Sequence, residues 1–186
     1  SIVTAAAAST DANYDGLTAA DVAVTNMDND VAGFTLSKTT AAVSESGSQD
    51  TCTVMLTAEP ESDVVLSVTS GDTGEVTVSP AALTFTPANW NVPQTVTLTG
   101  ADDALIDGSQ VTPVVVGVVA AASDDHFDGV ANRQVSVTTT DNDLAGFIVS
   151  KSTASVSESG TMDIISIVLT AQPVSDVVLS VTSSDP

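Results

Sequence analysis

A chain of 186 residues with 24 acidic and 3 basic side chains, a formal net charge of −21, offers no basic surface to nucleic acid or an anionic membrane. Apolar residues make up 42% and alternate with polar ones, unlike an acidic disordered tail, and the longest apolar run, residues 114–122, is too short to span a bilayer. The single cysteine, Cys52, excludes a disulfide framework within the chain, so a domain here rests on its core and on any ion it binds.

Residues 1–30 reproduce residues 114–143 at an offset of 113 (141 − 28), the spacing between Asp28-Asn29-Asp30 and Asp141-Asn142-Asp143. At the same offset residues 144–186 reproduce 31–73, and residues 62–70 (SDVVLSVTS) recur letter for letter as 175–183. The chain therefore reads as a window on a tandem array. It contains the end of one repeat (1–30), one complete repeat (31–143) and the beginning of another (144–186), with DND at the joints. No segment has the layout of a signal peptide.

In the complete repeat, residues 33–37 (GFTLS) alternate with Phe34 and Leu36 on one face, and Ala41, Ala42 and Val43 continue the same strand. Residues 44–50 (SESGSQD) form a turn by composition. The second strand, 51–58, points Cys52, Val54 and Leu56 inward. Cys52 aligns with Ile165, which marks it as a small buried hydrophobe rather than a reactive thiol. The third strand spans 64–70, and the fourth combines 75–79 with 82–87 into one edge strand limited by Pro80. The fifth spans 94–100 with Val96 and Leu98 inward, the sixth begins at Gln110 and reaches about Ala121, and the seventh spans 133–139. Seven short strands without a helical period predict an all-β fold, an antiparallel Greek-key sandwich of the Ig-like type repeated in tandem.

Nearly all the acids fall in loops, while residues 76–101 carry no charge. Strand direction sorts those loops. The connections after strands one, three and five, together with the exit of strand seven, lie at one end of the sandwich. That end gathers Glu45, Asp72, Asp102, Asp103, Asp107, Asp141, Asn142 and Asp143. Carboxylates about 4 Å apart repel by about 4 kcal/mol per pair at an effective dielectric near 20, so a cation is the expected remedy. Oxygen ligands without histidine or thiol favour calcium over zinc or a transition metal. Glu45 recurs as Glu158 and Asp72 as Asp185. At the opposite end Asp63, Asp124 and Asp128 face the preceding joint, Asp28 and Asp30. Two readings stand for that group, a second cation site or solvated loop acids.

With these residues in place, the repeat resembles the Calx-β family and, more closely, the Calx-β-like or cadherin-like extender repeats of large bacterial RTX-type adhesins. The resemblance rests on VSESG at Glu45, Asp72 after the third strand, ADDALIDG at Asp102, Asp103 and Asp107, the Asp128-Gly129 turn, residues 85–103 and the terminal DND. It implies calcium ligation by Glu45, Asp72, Asp102, Asp103, Asp107, Asp141 and Asp143. Ser46 and Asn142 depart from the family's usual glycine and third aspartate. It further implies an extracellular place at the bacterial cell surface.

The leading expectation is a calcium-stiffened spacer that projects an adhesin's tip, its partners being neighbouring repeats of the same chain, with no small-molecule substrate. A calcium-sensing regulatory domain is one alternative. Direct binding of ice or carbohydrate through rows such as Thr95, Thr97 and Thr99 is another, although alternating threonines are ordinary strand residues and Trp90 is more often packed than a sugar platform. No catalysis is expected: the one histidine, His126, aligns with Asn13 and lacks a nucleophilic partner.

Overall fold

The structure, a computed structural model, describes residues 1–184. Ser1–Val31 forms one compact unit, and the chain from Ala32 on forms another.

Within the second unit, nine strands build two facing sheets. Strands β1 (Phe34–Leu36), β3 (Gln49–Leu56), β7 (Gln94–Gly100) and β5 (Val76–Ser79) form one sheet in the order β1-β3-β7-β5. Strands β2 (Thr40–Ser44), β9 (Arg133–Thr140), β8 (Gln110–Val118), β4 (Val64–Ser70) and β6 (Ala82–Phe85) form the other in the order β2-β9-β8-β4-β6.

The all-β class is as expected, but the strand count and arrangement differ from a seven-stranded antiparallel Greek key. Two expected strands each divide between the sheets. The first breaks after Leu36: the Ser37 N–H still donates to Thr53 O in one sheet (2.9 Å), while Thr39 O accepts from Ser136 in the other (2.9 Å). The fourth breaks at Pro80, which has no N–H to contribute to a ladder, so β5 ends against β7 while β6 begins beside β4. In addition β2 lies parallel to β9, from Thr40–Ser136 to Ser44–Thr140, where only antiparallel pairs were expected.

Period-two alternation accounts for the core. Phe34, Cys52, Val54, Leu56, Val64, Leu66, Val68, Leu83, Phe85, Val96 and Leu98 are buried between the sheets as inward residues of their strands. The faces of β8, ambiguous in its valine-rich sequence, resolve with Thr112, Val114 and Val116 inward. The β8–β9 connection contains two 3-10 turns, Ala120–Ala122 and Asp125–Phe127, and the second drives Phe127 into the core. Full burial of each large side chain contributes about 1.5–3 kcal/mol. Trp90 is half-buried and packs against this core, while Thr95, Thr97 and Thr99 lie on the outward face of β7.

After the sandwich, β10 (Phe147–Val149) and β11 (Ile167–Leu169) pair antiparallel, with Phe147 opposite Leu169. This reproduces, 113 residues on, the pairing of Phe34 with Leu56. In Ser1–Val31 an antiparallel bridge joins Ile2 to Val22.

Candidate metal centre

The pairings, with the tight turn from β2 to β3, fix strand direction. β1, β2, β4, β7 and β9 point to one end, and β3, β5, β6 and β8 point to the other. The chain thus changes sheet between β1 and β2, and between β5 and β6, without reversing. Four segments consequently meet at one end: the turn after β2, the connection 71–75, the loop 101–109 and the exit 141–143. Close contact between the sheets brings them together. Gly100, at the end of β7, donates to Ser48 O (3.0 Å), and a Cβ at Gly100 would collide with the Ser44 carbonyl.

Glu45 lies at the centre with 1% of its surface exposed. Its Oε2 accepts the backbone N–H of Asn142 (3.1 Å), which ties the first turn of the sandwich to the segment leaving it. Two sets of carboxylate oxygens lie within 4.8 Å of one another: Glu45 with Asp141 and Asp143, and Glu45 with Glu75 and Asp107. Asp141 accepts from the Asp143 N–H (2.7 Å) and the Gly108 N–H (2.9 Å), which hold its carboxyl below the usual range. Asp143 Oδ2 and Glu75 Oε2 are buried without a hydrogen-bond partner.

Burial, above all, pushes the Glu45 carboxyl up. The Asn142 N–H opposes that shift, whereas the charges of Asp141, Asp103 and Asp107 add to it. Glu75 is raised by burial and then by Asp107, Glu45, Asp103 and Asp72. Asp143 is raised by burial and then by Asp141, Asp102, Asp103 and Asp107. Close carboxylates with bare buried oxygens and no cationic side chain among them are a donor set that suits a hard divalent cation.

The other expected residues at this end surround that core. Asp102 Oδ1 accepts from Asn142 Nδ2 (3.0 Å), and Asp103 Oδ1 caps its own loop through the Leu105 N–H (2.7 Å). Asp72 Oδ1 accepts from Gly74 (2.8 Å) and lines a pocket shared with Glu75 and Asp107. Glu75 was missed in the sequence because a lone acid opening a strand resembles a solvated edge residue. Its one legible signal is its place at the threshold of the charge-free stretch 76–101.

At the opposite end, Asp124 is buried and already saturated. Its carboxylate accepts from the N–H groups of Glu61 (2.6 Å), Ser62 (3.1 Å) and His126 (2.9 Å), and His126 Nδ1 lies 2.8 Å away. Asp63 is exposed and bonds through its main chain, its carbonyl accepting from the Asp124 N–H (3.0 Å). Asp128 is also exposed. In the first unit Asp28 Oδ1 accepts from the Asp30 N–H (2.9 Å), the same local turn that Asp141 makes with Asp143. Glu158 is exposed in its turn, and Asp185 lies outside the described residues.

The loop 101–109 also touches the following segment. Gln172 donates to Ala104 O (2.6 Å), and Leu105 bridges Gln172 in parallel.

No family model matches the chain, and no curated protein matches it. Solved structures similar to it include the apo-form Calx CBD1 domain, at 12% identity over 61% of this chain and 100% of that one, with a TM-score of 0.45. SSP-19, an MSP-domain protein like family member of Caenorhabditis elegans, is 18% identical over 57% of this chain and 98% of its own, with a TM-score of 0.41. The chaperone DraB of E. coli is 10% identical over 63% of this chain, with a TM-score of 0.45, and the chain spans 59% of that chaperone's length. No helix among the described residues is long and apolar enough to cross a membrane.

Proposed function

We propose that the chain is a non-catalytic spacer from the tandem array of a bacterial cell-surface adhesin of the RTX type, stiffened at its joints by calcium outside the cell. The observation that carries this reading is the sharing of Glu45 between the sandwich and its exit. The Asn142 N–H donates to Glu45, while Asp141 and Asp143 bring their carboxylates beside it.

Bound calcium supplies the positive charge that these carboxylates lack and accepts six to eight oxygens. Glu45 and the 141–143 segment would hold it at the root of the linker, with Asp102 steadying Asn142 from the side. Ordering of the 101–109 loop would also preserve its bridge to Gln172, giving the joint a second strut. Bare, the same acids repel and loosen both attachments.

Small-angle scattering and thermal melting of the chain, with calcium and with a chelator, test the reading. Calcium is expected to extend the particle and raise the melting midpoint. Superimposable profiles and melting curves under the two conditions would overturn it.

A further inference from the structure

We propose that residues 1–27 of one copy of this chain dock on residues 147–183 of another, a head-to-tail association that rebuilds between two chains part of the sandwich that residues 31–143 build within one. Apolar faces and strand pairing drive it, so it stands apart from the calcium reading. Identical letters adopt different structures here: SDVVLSVTS at 62–70 contains β4, whereas the same letters at 175–183 contain no strand. Local propensity is equal in the two copies, so the difference lies in their neighbours. β4 is flanked by β6 and β8, and at the offset of 113 the end of β8, residues 114–118, corresponds to residues 1–5.

Exposure follows the same division. Phe34, Val43, Val64 and Val68 are 4% exposed or less, while their counterparts Phe147, Val156, Val177 and Val181 are 51% to 75% exposed. Phe127, Val135 and Val137 are at most 1% exposed, while Tyr14, Val22 and Val24 are 52% to 62% exposed. Both segments thus carry a face that the sandwich buries, and a contiguous exposed apolar face marks an association site. Register shows the lack of a cover as well. Val114 faces Val135 across β8 and β9, which at the same offset sets Ser1 against Val22, yet Ile2 bridges Val22, one residue out of step. A one-residue slip turns alternate side chains to the other face, and only a buried face specifies the register strongly.

The sandwich itself shows how the two segments fit. The parallel pairing of β2 with β9 places 153–157 beside 23–27, and the antiparallel pairing of β4 with β8 places 179–183 beside 1–5. The β10–β11 pair, equivalent to β1 with β3, supplies strands of the facing layer. Counterparts of β5, β6 and β7 are in neither segment, so the joined core is smaller than that of the sandwich and should come apart on dilution. The two docking faces differ, so the contact is heterologous and repeats from copy to copy along a line or around a ring. The formal charge of −21 on each copy opposes it at low salt.

Light scattering with size-exclusion chromatography over a concentration series, in salt of about 0.15 M where charges are screened beyond about 8 Å, tests this on the parent chain and on Val24→Asp, Val181→Asp and Thr182→Asp. The parent should exceed the mass of one chain and grow with concentration. Val24→Asp charges one docking face and Val181→Asp the other, so each alone should run as a single chain. Mixed in equal amounts they should form a two-chain particle and grow no further, because one intact pair of faces remains. Thr182→Asp, the counterpart of the exposed Thr69, should associate as the parent does. All three positions lie outside residues 31–143, whose melting transition serves as the folding control. A parent at single-chain mass throughout overturns the proposal. So does growth of Val24→Asp or Val181→Asp alone, a mixture that stays at single-chain mass, or equal loss of association in Thr182→Asp.

Discussion

The backbone N–H of Asn142 donates to Glu45 Oε2 at 3.1 Å across 97 residues of sequence. A buried glutamate in the first turn thus organises the last residues of the sandwich. Its remaining neighbours at this end are predominantly acidic, so the metal-free protein should be sensitive to pH in an unusual direction.

Glu45, Glu75 and Asp143 all have carboxyls raised above their ordinary values of 4.5, 4.5 and 3.8. A raised carboxyl favours the folded state while it is protonated, and that contribution is lost as pH climbs through the raised value. Asp50, Asp124 and Asp141 are lowered and work in the opposite sense, losing their contribution as pH falls below 3.8. In chelator, the melting midpoint should therefore peak in mildly acidic solution and decline toward neutrality. Calcium should abolish that decline, as melting curves across pH would show.

Asp124 is held down to about 2, first by the His126 N–H, and its bond to the ring in turn raises His126 above 6.5. The stabilisation from His126 is complete below 6.5 and disappears as pH rises through the raised value. Asn13 fills the equivalent position in the first unit, donating through both its N–H and its side-chain amide to Asp11 (2.9 Å each). His126→Asn should therefore fold normally, and the difference in melting midpoint between it and the parent should vanish at alkaline pH. Asp124→Ala should lower the midpoint under both conditions, since the N–H groups of Glu61 and Ser62 lose their acceptor.

Gly100→Ala would push a methyl group into the Ser44 backbone where the two sheets meet. Main chain cannot give way as a flexible side chain can, so the expected cost is at least the roughly 1–3 kcal/mol of an overpacked core. Chemical denaturation should show it, together with weaker calcium uptake, because the same contact brings the 101–109 loop to Glu45. An alanine at Gly129, where a Cβ meets nothing within 4 Å, serves as the control.

Much of this arrangement was legible in the letters. Alternation exposed the inward faces of β3 and β7, and direction placed Glu45, Asp107, Asp141 and Asp143 at one end. That argument survived an incorrect strand count because each divided strand keeps its heading on crossing to the other sheet. The crossings themselves were hidden: nothing in AAV or in ALTF specifies which sheet supplies the hydrogen bonds. Recurrence also had more than one meaning. Asp124 and Asp11 repeat in hydrogen-bonded turns, and Lys38–Asp50 repeats as the Lys151–Asp163 ion pair, fastening equivalent turns in both copies. Repetition thus marks residues that hold the backbone as well as residues able to hold an ion.

The parallel pairing of β2 with β9 has a mechanical consequence. Tension applied where the chain enters and leaves the sandwich draws these neighbouring strands past each other lengthwise. The ladder from Thr40–Ser136 to Ser44–Thr140 is then loaded in shear, its hydrogen bonds sharing the force, whereas a hairpin pulled from its open end parts one pair at a time. The strand that leaves for the next segment is locked beside one of the first to be laid down.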